Sequence, residues 1–221
     1  MNELKDLVKS GPVRFLPLIL LVDTSGSMEG DKIKAMNRAV RDMLKEFCAG
    51  DIPSEIRVAV IAFGGDTPRV HVPLQPAKQI QWVDMAAGGH TPMGAAMTMA
   101  AQLIEDRQTV PGTCFRPTVV LISDGQPRDN IENGLSAFGG EKRASKSQRF
   151  ALAIGNDANP DMLARFINPP APEGRVFQGQ DAPQIVSFMR WVTISVSMRS
   201  RSQKPNAPAQ AADPFDLSVF K

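Results

Sequence analysis

The residues of this 221-residue chain best suited to chemistry are Asp23-Thr24-Ser25-Gly26-Ser27. A carboxylate and two hydroxyls recur there at i, i+2 and i+4. In an extended loop that spacing aims all three side chains the same way, and Gly26 lets the backbone turn tightly among them. The set offers only hard oxygen donors. Magnesium takes six of these in an octahedron and usually keeps some waters, so the three residues need help from elsewhere in the chain. Manganese fits the same donors, and the larger calcium ion can also be held. As a string the pattern is weak, since average residue usage produces it in roughly one chain in twenty of this length. Its weight comes from its place, directly after an apolar run and directly before a stretch of helical periodicity.

Two further stretches supply what the first lacks. Gly88-Gly89-His90-Thr91-Pro92 is a glycine loop that ends in a hydroxyl at the start of a helix. Ser123-Asp124-Gly125 puts a second carboxylate at the end of an apolar strand.

The elements that must position these loops follow from periodicity. Leu18–Asp23, Ile56–Phe63, Thr118–Ser123 and Arg149–Ile154 are short runs of apolar residues, as expected of strands buried on both faces. Arg69–Leu74 alternates between Pro68 and Pro73 and reads as an edge strand. Arg175–Phe177 reads as another. Between them lie the expected helices. Lys32–Ala49 stops at Gly50, and Pro92–Glu105 is placed to be capped by Thr91 with Pro92 in its first turn. Ile131–Lys146 reads as one shorter helix, Pro160–Ile167 is capped by Asn159, and Asp181 to about Met198 is the last. Strand–helix alternation predicts an α/β fold with a doubly wound, mostly parallel sheet of about six strands flanked by helices. Ligands of such sheets bind beyond the carboxyl ends of the central strands, which singles out the loops after Asp23, Met85 and Ser123.

The D-x-S-x-S of the first loop, the later G-G-x-T-P and the later S-D-G, in this order, resemble the metal-ion-dependent adhesion site of von Willebrand factor type A domains. The resemblance covers Pro17 to Met198. It implies that Asp23, Ser25, Ser27, Thr91 and Asp124 form a site for Mg2+. The two serines would bind the metal directly, and the threonine and aspartates directly or through water. A carboxylate from a protein partner would take the sixth position. The implied function is a metal-dependent protein–protein interaction module with no catalytic residue. Within the family, LPLILLVDTSGSMEGDKI, AAGGHTPMGAAM and PTVVLISDGQP are similar to the bacterial TerY-like tellurium-resistance branch. That branch implies a cytoplasmic stress-response role beside a protein kinase and a metal-dependent protein phosphatase. The chain lacks the cysteine-rich extension of some members, having only Cys48 and Cys114.

Composition narrows the rest. With 25 basic against 23 acidic side chains, a formal net charge of +2 gives no electrostatic case for nucleic acid or an anionic membrane. At 43% apolar residues, a packed domain is expected. Met1–Arg14 lacks the apolar core of a secretory leader, and Leu16–Val22 is too short to span a bilayer. The expected organisation is an N-terminal extension over 1–16, the domain over 17–198 and a flexible tail over 199–221, with the apolar Pro214–Lys221 either docked back or binding a partner. Cys48 and Cys114 read as small buried residues of a reducing compartment.

A magnesium-dependent phosphohydrolase is the alternative function. Against it, Asp23 is followed by Thr24 and Ser25 rather than by a second acid two residues on, no Lys is evidently placed to stabilise a phosphoryl group, and no His–carboxylate pair supplies a base. Neither G-x-x-x-x-G-K-[ST] nor G-x-G-x-x-G follows the first strand, which argues against nucleotide binding. His71 and His90 read as surface residues. Glu29 and Asp31 read as acids at a helix start, Arg128 and Asp129 as rim residues within reach of a partner, and Trp82 and Trp191 as packing. Lys142, Arg143, Lys146 and Arg149 read as a solvated helix face.

Overall fold

The computed structural model describes residues 14–49, 55–167 and 175–206. The centre of the molecule is built from two strands with no exposed residue, β1 (Phe15–Asp23) and β4 (Thr118–Ser123). A strand of that kind is stable only where helices cover both of its faces. β1 pairs in parallel with β2 (Glu55–Phe63) on one side and with β4 on the other. Beyond β4, β5 (Gln148–Ile154) and β6 (Arg175–Gly179) continue the parallel sheet. Beyond β2, β3 (Arg69–Pro76) closes the edge antiparallel, with two register shifts along the pair. The order β3-β2-β1-β4-β5-β6 is the doubly wound sheet of six strands that the sequence implied.

Alternate residues of each strand feed opposite faces. Leu16, Leu18, Leu20 and Val22 pack with Met36 and Val40 of α1 (Asp31–Ala49) and with Phe188 and Val192 of α5 (Ala182–Arg201). Ile19 and Leu21 face the other way. They meet Ala96, Met97 and Ala100 of α2 (Met93–Glu105) in a cluster that includes Leu163 and Phe166 of α4 (Pro160–Phe166). Small residues on α2 let it lie close to the sheet. Trp191 packs as expected, edge-on to Phe150 at 4.8 Å. Asn159 caps α4 as expected, its side chain accepting from the Met162 N–H.

Several local expectations are corrected. The single helix over Ile131–Lys146 is instead α3 (Ile131–Ala137) and a separate turn at Ala144–Lys146. Gly139-Gly140 interrupts it, with Gly140 at φ +68°, a conformation that ends a helix. Of the basic run, Lys142 and Lys146 are exposed as expected, but Arg143 and Arg149 are not. Arg143 donates to the backbone carbonyls of Ile104 (2.6 Å) and Val110 (2.6 Å), tying down the chain after α2. Arg149 is buried with its guanidinium over Phe138 and Phe166, 5.4 and 5.6 Å from the ring centres. Burial pulls that guanidinium down to about 10. Cys48 is exposed rather than buried, while Cys114 is partly covered and neither is in a disulfide. His71 is half-buried, bonded to the Val83 carbonyl at 2.8 Å and edge-on to Trp82.

The last helix runs past Met198 to Arg201. Arg199 is buried and donates to Gln148 Oε1 (2.8 Å), the Arg116 carbonyl (2.9 Å) and the Pro205 carbonyl (3.0 Å). The Asn206 side chain accepts from the Arg116 N–H. The hydrogen-bonded chain therefore continues to Asn206. Gly50, most of the N-terminal extension and the apolar stretch Pro214–Lys221 lie outside the described residues.

Candidate metal centre

β1 and β4 are the adjacent strands from which the chain winds outward in opposite directions, so a crevice opens beyond their carboxyl ends. Asp23 is the last residue of β1, and Asp124 directly follows the last residue of β4. Both carboxylates are buried. The Asp23 carboxylate accepts from the Ser25 backbone N–H (2.8 Å) with one oxygen and from the Ser123 hydroxyl (2.5 Å) with the other. The first bond folds the loop back on the strand end and turns the Ser25 and Ser27 hydroxyls together, 3.0 Å apart. Ser27 donates in turn to Asp124 at 2.6 Å. The two aspartates, 101 positions apart in sequence, thus each accept from a serine hydroxyl, Asp23 from Ser123 and Asp124 from Ser27.

Thr91 reaches the same place from the third loop. A β-carbon built on Gly125 would sit 3.7 Å from the Ser27 hydroxyl oxygen and 3.8 Å from that of Thr91, so both hydroxyls flank the S-D-G turn. Backbone bonds lace the first loop to the glycine loop and to the end of β2: Gly26 N–H to the Gly89 carbonyl (3.1 Å), Gly88 N–H to the Thr24 carbonyl (2.8 Å) and Thr24 N–H to the Phe63 carbonyl (3.0 Å). Two glycines make that lacing possible. A β-carbon on Gly64 would lie 2.2 Å from the Thr24 carbonyl oxygen, and one on Gly89, at φ +77°, 2.5 Å from the Gly65 Cα. All five residues expected at the site are therefore brought to one crevice. Asp23, Ser25, Thr91 and Asp124 are buried, and Ser27 is exposed at its mouth.

The donor set fits a hard divalent cation. Among the described residues no group of three or more His, Cys, Asp or Glu side chains converges. A metal here would rely on two carboxylates and three hydroxyls, an oxygen-only set that suits magnesium or manganese. The electrostatics point the same way. Burial pushes the Asp23 carboxyl above the ordinary 3.8, and the nearby Asp124 charge pushes it further, while the bonds from Ser123 and Ser25 oppose the rise. The folded chain thus keeps a proton on Asp23 at pH values where the unfolded chain has released it. Without metal, the fold loses stability as pH rises from 3.8 through the folded value, and the deficit persists at neutral pH. A divalent ion that binds only the ionised form offsets it. The rise in melting temperature on adding magnesium is therefore expected to be larger at neutral pH than in acidic buffer. Equal rises in both buffers would remove Asp23 from the site.

Two residues that the motifs do not contain also shape the crevice. Lys32, in the first turn of α1, donates to Asp124 at 2.6 Å and to the Ser27 carbonyl at 3.3 Å. Asp129 caps α2, its two oxygens accepting from the Gly94 (3.0 Å) and Ala95 (2.7 Å) N–H groups. Thr91 makes no side-chain cap there; its carbonyl accepts from the Met93 and Arg128 N–H groups instead. The Thr91 hydroxyl is thereby left for the crevice. A carboxylate on a helix N-terminus gains both hydrogen bonds and the macrodipole. Asp129→Ala is expected to destabilise the fold by about 1–2 kcal/mol, read as a lower urea midpoint. An unchanged midpoint would mean that the cap contributes nothing. Among the other rim residues, Glu29, Asp31, His90 and Arg128 are exposed.

Comparisons with known proteins agree with the fold. The family model described as von Willebrand factor type A domain matches residues 18–191. Inter-alpha-trypsin inhibitor heavy chain H4 of Sus scrofa is 30% identical over 149 residues, which is 63% of this chain but only 16% of that protein. Among solved structures, the ArnB paralog VWA2 of Sulfolobus acidocaldarius superposes with a TM-score of 0.62 at 16% identity, covering 84% of this chain and 46% of that one. Proximal thread matrix protein 1 of the mussel byssus, solved with a zinc-occupied MIDAS motif, gives 0.61 at 16% identity, over 85% of this chain and 46% of that one. The pilus adhesin SpaC of Lactobacillus rhamnosus GG gives 0.67 at 15% identity, over 87% and 31%.

Proposed function

We propose, from the premise that this chain belongs to the von Willebrand factor type A domain family, that it is a metal-dependent protein-interaction module and not an enzyme. The observation that carries the reading is the pair of buried carboxylates, Asp23 and Asp124, each accepting from a serine hydroxyl at the switch point of the sheet. Asp23, Ser25, Ser27, Thr91 and Asp124 would hold Mg2+, with Mn2+ or Ca2+ able to replace it. The metal supplies a Lewis-acidic position at which a partner's Glu or Asp side chain binds. Ser27, at the exposed mouth, marks the side from which that side chain arrives.

The sequence around Asp23 supports a binding role over phosphohydrolysis. Thr24 and Ser25 follow it, with no second acid two residues on to serve as general acid.

The finer assignment to a TerY-like tellurium-resistance system, acting with a protein kinase and a metal-dependent phosphatase in the cytoplasm, rests on the three sequence stretches named above. Two cysteines outside any disulfide suit a reducing compartment, and among the described residues no helix is long and apolar enough to cross a membrane. Affinity capture from native lysate tests the whole reading. A partner retained in magnesium and released by EDTA is expected, with the kinase or phosphatase among such partners if the finer assignment holds. Partners indifferent to EDTA would place binding on another surface.

A further inference from the structure

The residue at the centre that the site motifs do not account for is Lys32. It projects from the first turn of α1 onto a carboxylate whose side chain is wholly buried, while its own side chain remains 31% exposed. The ammonium lies 2.6 Å from one Asp124 oxygen; the other Asp124 oxygen accepts from Ser27. Lys32 is thus a cation fixed directly against the set of oxygens that a metal would use.

Its consequence follows from counting charge. Asp23 and Asp124 contribute two negative charges and Lys32 one positive, so the buried set carries −1. A divalent ion turns this to +1, and one carboxylate from outside brings it to zero. Without Lys32 the same ion would neutralise the two aspartates by itself, and a carboxylate arriving afterwards would leave the site negative. The acids nearby do not alter the count. Asp31 faces Lys34 at 3.7 Å in solvent and Glu29 is exposed, where screening is strong.

Building on the metal-site reading above, we propose that Lys32 is the residue that makes this site select an anionic ligand. It weakens the metal bound alone and strengthens the hold of the metal-loaded site on a carboxylate, so that the ion is retained best together with its partner. Coupling of this kind is reciprocal, so it can be read from the metal side.

Calorimetric titration with MnCl2 and MgCl2, with and without acetate as the probe carboxylate, tests this on the full chain. Lys32→Met is expected to bind the metal about tenfold tighter than wild type in acetate-free buffer. The increase in metal affinity that acetate gives wild type should shrink in Lys32→Met. Lys32→Arg, which keeps the charge, should behave as wild type. A purely structural ion pair would instead lower the melting temperature of Lys32→Met and leave metal affinity unchanged or weaker. That result, or undiminished acetate coupling, overturns the role of Lys32 alone. Failure of both wild type and Lys32→Met to bind either metal overturns the metal-site reading, and this inference with it.

Discussion

Asp23→Asn is expected to lose magnesium binding and to melt no lower than wild type in EDTA. The substitution keeps the shape of a wholly buried side chain and one acceptor for the Ser25 N–H, so the loop that carries Ser25 and Ser27 stays folded back on β1. It removes a charge whose burial is unfavourable, as the raised Asp23 carboxyl shows. At neutral pH the metal-free protein should therefore keep or gain stability. A divalent ion, by contrast, loses one of two carboxylates. Loss even of an outer hydrogen-bonding partner costs roughly 10–100-fold in metal affinity, and loss of a charged ligand should cost at least as much. Calorimetry should register no heat of magnesium binding for Asp23→Asn at concentrations that saturate wild type, and the magnesium-dependent rise in melting temperature should vanish. A wild-type affinity in this variant would move the site away from Asp23. Asp23→Ala should lose the metal too, but it also strands the Ser25 N–H and the Ser123 hydroxyl, at about 1–3 kcal/mol for such unpaired groups. The asparagine variant is therefore the cleaner separation of charge from structure.

The second large effect is expected at a residue with no chemistry of its own. Gly64 follows the end of β2, where the Thr24 carbonyl passes against its Cα; an alanine methyl would fall 2.2 Å from that oxygen and 2.5 Å from its carbon. Backbone, not a flexible side-chain end, must move. The same carbonyl accepts from the Gly88 N–H, so displacement of Thr24 also loosens the loop that delivers Thr91. Gly64→Ala is expected to destabilise the fold by about 3 kcal/mol, a melting temperature lower by about 6–12 °C for a domain of this size. Metal affinity should fall with it, because two of the three loops shift together. Gly112→Ala is the control: nothing lies within 4 Å of its added methyl, and the change should stay within about 0.5 kcal/mol. Similar melting temperatures for the two variants would show that the loops yield without effect on the fold.

Much of this architecture is determined by local properties that a sequence displays. Unbroken apolar runs such as Leu18–Val22 and Val119–Ile122, too short for core helices, read as strands covered on both faces, and helical periodicity between them points to the doubly wound order. A sheet so ordered has one switch point, and D-x-S-x-S and S-D-G fall on the two strands that flank it. The residues of the candidate site were therefore legible, because their spacing and their place at strand ends are both features of the chain itself.

Tertiary structure alone decided how the remaining side chains reach across it. Lys32 meets Asp124 from 92 positions away, Asp129 caps a helix that begins 36 positions before it, and Arg199 ties β4 and β5 to the end of α5. None of these pairings leaves a periodicity or a motif in the sequence, since each depends on where a flexible side chain ends after the sheet has assembled. The basic residues at Arg143 and Arg149 were misleading for the same reason. Charge suggests solvent, but a guanidinium can be buried where carbonyls or aromatic faces receive it, and only the packed fold brings Ile104, Val110, Phe138 and Phe166 to those positions.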